Sequence, residues 1–379
     1  MLIFKSENWM EDELKRRKQL ITDLFLGNPL SHIPVEIKVI NPKYTTWEYY
    51  EDREKQLEDS MESARLTWSM KDKNDLIPAL TMDVGCSIIA TAFGAEYYFG
   101  ENSAQTAGVK TPPISDPIKQ IPDLEVPDIL NSEWIKEGLK RIQMFVEAGD
   151  GILPVNCMDA AGGLNVAADL IGLNDLMLLM ATEPELIHKL QTVIQKTYLN
   201  LIDMEVEVAG GLDNLVNTDF LYNWTPPGFK GHGSDDVSAM IGPEMYNTFC
   251  GPYHDMVFEK YGCGGLHNCG PNPCAEAYVS QKFSPRYIDL MERFSTADLP
   301  KLKHIFKKKA FIQWGFYGSE EKNVKEYAEQ FRGYMELLAP DVILVPTYEV
   351  GSVEEGLELY EAIYPIAVEY AQRMDFGFE

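Results

Sequence analysis

The stretch PEMYNTFCGPYHDMVFEKYGCGGLHNCG, residues 243–270, predicts a helix over 243–261 that is followed by a short apolar strand over 264–270. Amphipathic helices alternate with short apolar strands in both directions from this stretch. The other predicted strands are IPVEIKVI (33–40), GILPVNC (151–157), LDNLVNTD (212–219), YIDLMERF (287–294), AFIQWGFYG (310–318) and DVILVPTYEV (341–350). Because the alternation shows no break in composition, it indicates βαβ units and a parallel sheet.

A closed sheet fits this alternation better than an open one, because no glycine-rich phosphate-binding loop follows any predicted strand. We therefore predict an α/β fold, a single (β/α)8 (TIM) barrel that occupies residues 1–379 as one domain. Residues 1–30 form an N-terminal helical segment that ends at a Gly-Asn-Pro stop signal. Prolines between residues 101 and 130 exclude a continuous helix, so this part is expected to be a surface excursion, either a lid or an inert connector.

The composition is typical of a globular protein with an acidic surface. The formal net charge is −26, from 59 acidic and 33 basic residues, which disfavours nucleic acid and anionic membranes as partners. No run approaches the roughly 20 apolar residues that span a bilayer, and the first residues lack the apolar region of a signal peptide. Six scattered cysteines are too few for a disulfide framework in a chain of 379 residues. A cytoplasmic location is therefore expected.

The carboxyl ends of barrel strands, where such folds place their reactive groups, carry a distinctive set of side chains. The substrate-binding candidates at these ends are Asp83, Asn156, Tyr222, Trp224, Trp314, Tyr317 and Tyr348. Their aromatic members would form flat walls suited to a planar ring, although ordinary packing would account for about half of them. Asp235 and Asp236 are candidate catalytic carboxylates in the barrel mouth, with a solvated turn or helix cap as the alternative. His232, in the glycine-rich segment KGHGS, is expected in an exposed loop.

His267 and Cys269 form the sharpest candidate site. Residues i and i+2 of a strand project to the same face, so the imidazole and the thiol would point to the same place. Zinc accepts both ligand types, and a catalytic site with one open position needs a third protein ligand. A packed histidine beside a buried cysteine is the alternative.

Four stretches together resemble the uroporphyrinogen-decarboxylase superfamily, in particular its cobalamin- and coenzyme M-related methyltransferases. They are GCSIIATAFGAEYYF (85–99), DDVSAMIGPEMYNTFCGPYHDMV (235–257), LHNCG (266–270) and DVILVPTYEVGSVEEG (341–356). The resemblance implies the barrel fold, and it implies that His267 and Cys269 bind zinc together with a cysteine after the last strand. Here the expected Pro-Gly-Cys is Pro346-Thr347-Tyr348, and Glu349 is the nearest oxygen ligand. Cys263 or Cys274 as the third ligand, and weak or absent zinc binding, are the alternatives.

The first predicted strand also departs from the family. True uroporphyrinogen decarboxylases hold the porphyrinogen carboxylates with an arginine-rich N-terminal segment, whereas IPVEIKVINPKYTTW (33–47) contains only two lysines. Porphyrinogen decarboxylation is therefore disfavoured.

We predict a methyltransferase that moves a methyl group from a methylated small molecule, such as an aryl methyl ether, to cob(I)alamin on a corrinoid protein. Zinc on His267 and Cys269 would act as the Lewis acid. The missing soft ligand favours this demethylating half-reaction over methylation of a thiol such as coenzyme M. Metal-free decarboxylation of a small cyclic carboxylic acid is the alternative reaction, and a non-catalytic binding protein is a third hypothesis. Association into a homodimer is also expected.

Overall fold

The computed structural model describes residues 2–98, 107–219, 221–316 and 322–378. Tyr317, one of the predicted substrate-binding residues, lies outside the described residues.

Helices in the described part of the chain follow the predicted pattern closely. They are α1 (Asn8–Leu26), α2 (Thr46–Glu51), α3 (Arg53–Ser69), α4 (Ile88–Ala92), α5 (Pro117–Gln120), α6 (Glu133–Gly149), α7 (Gly163–Ile171), α8 (Leu173–Thr182), α9 (Pro184–Val208), α10 (Pro243–Phe249), α11 (Gly251–Tyr261), α12 (Ala275–Tyr278), α13 (Glu292–Ser295), α14 (Leu299–Phe306), α15 (Val324–Leu338) and α16 (Val353–Ala371). The helices α2 and α3 are separate, because the Asp52 carboxylate caps α3 by accepting the N–H groups of Glu54 and Lys55.

Six parallel strands form the central sheet, and a short antiparallel hairpin lies apart from it. The strands in chain order are β1 (Glu36–Val39), β2 (Tyr97–Tyr98), β3 (Gly108–Val109), β4 (Gly231–Ser234), β5 (Cys263–Asn268), β6 (Tyr287–Met291), β7 (Phe311–Gly315) and β8 (Leu344–Val350). The central sheet has the order β1-β8-β7-β6-β5-β4, and β2 and β3 form the hairpin. The predicted parallel α/β architecture is confirmed.

Beyond the six strands, the wall continues through segments around Leu80, Val155 and Leu215. These segments pair by single parallel bridges, Leu80 with Val155 and Val155 with Leu215. The strands predicted over 151–157 and 212–219 are therefore reduced to short contacts. This part of the wall is the main departure from eight regular strands.

Side-chain amides replace the missing backbone pairing. The Asn156 carboxamide accepts the N–H of Met82 at 2.7 Å and donates to the carbonyl of Met82 at 2.9 Å. Asn74 makes the same two bonds to Ile37, at 3.1 and 2.6 Å. The edge of β1 that does not pair with β8 is thus held by side chains, and we call the space between this edge and residues 80–82 the seam.

The alternation of side chains along the strands determines which of them enter the barrel lumen. The Glu36 carboxylate accepts hydrogen bonds from Gln313 at 2.6 Å and from Thr347 at 3.1 Å, so these three side chains point inward. The residues between them on each strand point outward, towards the helices. Trp314, for example, packs edge-on against Tyr334 of α15, with ring centroids 5.5 Å apart.

The N-terminal helix closes the floor of the barrel. Phe25, in the last turn of α1, is only 2% exposed. Its ring lies 5.2 to 5.7 Å from the rings of Phe229, Tyr287 and Phe311. The predicted N-terminal segment is therefore packed into the same core as the barrel.

Within the described ranges, no single helix is long and apolar enough to cross a membrane. The helices α7 and α8 meet the length and composition criteria only as a pair bent by 109°.

Candidate functional site

His267 and Cys269 lie side by side at the carboxyl end of β5. The distance between His267 Nε2 and Cys269 Sγ is 3.3 Å. The His267 side chain is about 5% exposed, and Cys269 is half-buried. The structure therefore brings together the two side chains that the i and i+2 spacing predicted would meet.

Asp289, on the neighbouring strand β6, orients the imidazole. It stands opposite His267 in the parallel register, and its Oδ2 lies 2.5 Å from His267 Nδ1. Burial lowers the pKa of His267, but the hydrogen bonds to Asp289 and Cys269 and the charges of Asp289 and Asp236 together outweigh it and leave the pKa well above its usual value. With Nδ1–H donating to this carboxylate, Nε2 is directed at Cys269. Asp289 was not among the residues predicted from the sequence, although a charged residue within the apolar strand YIDLM (287–291) was a signal for it.

Asp236 completes a group of three potential metal ligands. It follows β4, and its Oδ1 accepts the N–H of Cys269 at 2.9 Å and lies 3.7 Å from His267 Nε2. The ligand atoms of Asp236, His267 and Cys269 all lie within 4.8 Å of one another. This nitrogen, sulfur and oxygen set, with a carboxylate behind the histidine, fits a tetrahedral zinc site that keeps one position open. The side chain of Asp236 is 47% exposed, so the group of three can be reached from solvent.

Asp235 does not share the mouth with its neighbour. It is 1% exposed, and its Oδ2 lies 3.1 Å from Nε2 of His254 on α11. Its N–H donates to the carbonyl of His267 at 3.2 Å. The prediction that Asp235 reaches into the mouth is therefore wrong, because the residue fixes the loop that carries Asp236.

Glu349 lies apart from the group of three. Its Oε1 is 4.0 Å from Lys38 Nζ, and β8 is separated from β5 by β7 and β6. The only group of three potential ligands among residues 2–98, 107–219, 221–316 and 322–378 contains Asp236 instead. The structure thus offers Asp236, and not Glu349, as the third ligand.

Two of the predicted wall aromatics lie outside the lumen. Trp314 is fully buried against α15, and Tyr348 stacks on Phe316 with ring centroids 4.4 Å apart. The physical reason is strand parity, because the inward positions of β7 and β8 are occupied by Gln313 and Thr347. The prediction that Trp314 and Tyr348 line the mouth is wrong.

The other two wall candidates in the described residues, Trp224 and Tyr222, lie in different parts of the barrel. Trp224 is 8% exposed and is held between the ammonium groups of Lys18 and Lys230, at 5.3 and 5.1 Å from its ring centroid. Since Lys18 belongs to α1 and Lys230 immediately precedes β4, Trp224 lies towards the barrel floor and not at the mouth. Tyr222 does lie against an inward-pointing side chain, with Lys38 Nζ 4.1 Å from its ring centroid.

The polar residues at the ends of the first predicted strands differ in the groups that their side chains contact. Asn156 is 2% exposed, and its carboxamide is bonded to the backbone of Met82, so it serves the wall and not a substrate. Asp83 accepts the N–H of Gly85 at 2.7 Å, and burial raises the pKa of its carboxyl group. Asp159, at the end of the segment around Val155, has its pKa raised strongly by burial and by the nearby carboxylate of Asp219.

His232 is the second residue whose position the sequence did not indicate. It lies in β4 and is fully buried, and its Nδ1 is 2.9 Å from the hydroxyl of Tyr287. Burial, followed by the proximity of His267 and His254, lowers its pKa well below the usual value. The expectation of an exposed loop is wrong, because the flanking glycines allow β4 to pack closely against its neighbours: a Cβ at Gly233 would lie 2.8 Å from His254 of α11.

Replacement of Asp289 by alanine is expected to weaken zinc binding by about 10- to 100-fold, because the imidazole loses its orienting acceptor while every ligand remains. Competition with a chromophoric chelator would measure the affinity. Asp289→Asn should retain part of it, and Asp175→Ala, at an exposed position on α8, should retain all of it. An affinity that is unchanged in Asp289→Ala would contradict this role.

Comparisons with known proteins establish the fold. No family model matches the sequence, and no curated protein matches it either. A solved structure described as a methyltransferase from Methanosarcina mazei has 16% sequence identity and a TM-score of 0.67, over 92% of this chain and 98% of that chain. A B12-independent methionine synthase from Shewanella sp. W3-18-1 has 10% identity and a TM-score of 0.44, over 88% of this chain and 97% of that chain, which is too low to add to the assignment. The barrel fold that the resemblance implied is confirmed.

Proposed function

We propose that this protein is a methyltransferase that takes a methyl group from a small-molecule donor, with a zinc ion held by Asp236, His267 and Cys269. The observation that carries the proposal is the group of three ligand atoms within 4.8 Å, together with the Asp289 carboxylate 2.5 Å behind the imidazole. The fold shared with a methyltransferase supports it.

Zinc at this position would act as a Lewis acid on the atom from which the methyl group departs. The acceptor in our proposal is cob(I)alamin on a separate corrinoid protein, which approaches the barrel mouth. The bond between the methyl carbon and the leaving atom breaks, its electron pair stays with the leaving atom, and cobalt(I) supplies the pair for the new bond. The exposed side chain of Asp236 supports a site that is open to such a partner.

The leaving atom must also take up a proton, and the chain has a group suited to provide one. Asp159 holds its proton to higher pH than an ordinary carboxyl group because of burial and the neighbouring Asp219. The charge of Asp83 also raises the pKa of Asp159, and the charge of His267 lowers it. We assign Asp159 the role of proton donor, while His267 and Cys269 hold the metal.

The ligand set favours demethylation of a donor over methylation of a thiol. Soft thiolate ligands suit a zinc ion that must bind and activate a substrate thiolate, whereas this group contains a single thiol, that of Cys269. The oxygen ligand from Asp236 suits a harder Lewis acid. An ether or another oxygen-linked methyl group is therefore the donor that we propose.

Metal analysis of paired variants tests the assignment of the third ligand. Purified wild-type protein is expected to contain about one zinc ion per chain, as three protein ligands would require. Asp236→Ala should lose the metal because one ligand is removed, whereas the matched variant Glu349→Ala should keep it. Zinc lost from Glu349→Ala and kept by Asp236→Ala would reverse the assignment.

Methyl transfer itself is tested with cob(I)alamin as the acceptor and a panel of methylated ethers, amines and thiols as donors. The spectrum of the corrinoid reports the reaction. A protein that contains no zinc and methylates no corrinoid, but releases carbon dioxide from a cyclic carboxylic acid, would establish the decarboxylase alternative.

A further inference from the structure

The seam contains a cavity of about 280 Å³ that opens beside the barrel mouth. It lies between the end of β1, the loop that follows it, the helix α3 and the segment of Thr81 and Asp83. The cavity exists because side chains, and not a neighbouring strand, form the hydrogen bonds to the backbone groups at this edge of the wall. Val39 N–H donates to Thr67 Oγ1 at 3.0 Å, and Thr81 N–H donates to Ser60 Oγ at 2.6 Å.

The ammonium group of Lys38 projects into this cavity. Its side chain is 16% exposed, and its polar contacts are long: 3.5 Å to Thr81 Oγ1 and 4.0 Å to Glu349 Oε1. The ring of Tyr222 covers one side of it at 4.1 Å. An ammonium group has three donors, and neither contact has the length of a strong charge-assisted hydrogen bond, about 2.7–2.9 Å. Lys38 is therefore held in place with donor capacity left over.

Glu349 is the ion-pair partner of Lys38 at 4.0 Å, whereas the two acidic residues that line the cavity, Asp59 and Asp83, accept hydrogen bonds from other groups. The Asp59 Oδ2 atom already accepts the N–H of Lys43, the N–H of Tyr44 and the hydroxyl of Tyr49, at 2.7, 3.1 and 2.6 Å. Asp83 Oδ1 accepts the N–H of Gly85 at 2.7 Å, and burial raises the pKa of its carboxyl group. The cavity therefore presents an ammonium group and several hydroxyl groups to a ligand.

We propose that this cavity binds the carboxylate end of a small organic acid, with the Lys38 ammonium group as its charged partner. A volume of about 280 Å³ lies at the lower limit of ligand pockets, which fits a small acid and excludes a large one. The inference that the bound acid is the methyl donor rests on the proposed function. The inference that the cavity binds a carboxylate does not rest on it.

The position of Lys38 relative to the metal group gives the orientation of the ligand. Lys38 shares the inward face of β1 with Glu36, and β1 and β5 are four strand steps apart in the sheet order. An acid anchored at Lys38 would extend its other end towards His267 and Cys269. The reacting group is therefore the part of the substrate farthest from the carboxylate.

Calorimetric titration with benzoate, and with benzamide as its uncharged isostere, tests the inference on the full-length protein. Wild type should bind benzoate about tenfold to a hundredfold more tightly than benzamide, the range expected for hydrogen bonds to a charged group. Lys38→Met should abolish the preference. The control Lys43→Met, at an exposed lysine a few residues along the same loop, should preserve it.

Lys38→Arg keeps the positive charge and should keep the preference, so the test remains decisive if Lys38→Met fails to fold. Equal binding of benzoate and benzamide by wild type, no binding of benzoate up to its solubility limit, or an undiminished preference in Lys38→Met would each overturn the proposal. Benzoate binding should persist in His267→Ala, which separates this inference from methyl transfer. A protein that binds benzoate through Lys38 but transfers no methyl group would disprove the proposed function alone.

Discussion

Methyl transfer by His267→Ala is expected to fall by about a thousandfold or more in kcat/KM, because Lewis-acid stabilisation amounts to several kcal/mol and each 1.36 kcal/mol is about tenfold in rate. The substitution removes the one nitrogen ligand of the group and leaves Asp236 and Cys269 without a third partner. Steady-state methylation of cob(I)alamin would measure the loss. His304→Ala is the matched control, since His304 is exposed on α14, away from the lumen.

The division of this loss between kcat and KM is informative. Removal of a group that acts in the transition state lowers kcat and kcat/KM together, whereas removal of a binding contact raises KM. We expect the former for His267→Ala. If His267→Ala transfers methyl groups with the wild-type kcat, this result would contradict the metal mechanism, although methyl transfer itself would be confirmed.

Trp314→Ala is expected to lower the free energy of unfolding by about 3–5 kcal/mol, the usual cost of a buried tryptophan or phenylalanine replaced by alanine. The side chain is fully buried between β7 and α15, against Tyr334. Because it lies outside the lumen, KM should be unchanged in whatever fraction of the variant remains folded. Denaturant unfolding would give the free energy, and Leu178→Ala, at a position 58% exposed on α8, should change it by less than about 0.5 kcal/mol.

A stable Trp314→Ala variant with an increased KM would contradict this placement. Such a result would indicate that Trp314 contacts the substrate, as its position near a strand end predicted.

Much of the fold could be predicted from local patterns along the chain. The strands β5 to β8 are short apolar runs between amphipathic helices, and each was predicted close to its place. The seam could not be predicted, because its hydrogen bonds come from Asn74 and Asn156, and their backbone partners lie 37 and 74 residues away. No periodicity within a window of the sequence contains such a pairing.

The candidate site could likewise be predicted only where its geometry depends on residues close together in the sequence. The meeting of His267 and Cys269 follows from strand geometry, but the choice between Asp236 and Glu349 as third ligand depends on which strands are neighbours. Asp289 was missed because its partner is on another strand. The wall aromatics were misplaced for a different reason, because the alternation of side chains along β7 could be seen in the sequence. Gln313, a polar residue within an apolar strand, marks the inward face of β7. Its neighbour Trp314 therefore points outward.

The proposed metal group and its orienting carboxylate all come from residues 236–289, whereas Lys38 and Asp83 come from the first quarter of the chain. In evolutionary terms, substitutions in the proposed recognition pocket can arise without substitutions in the reacting centre, because the two come from separate segments of the chain. Drift or exchange within residues 33–83 could retarget the barrel to a different acid while the centre is inherited unchanged. Divergence of substrate choice without divergence of chemistry is therefore the course that this architecture favours.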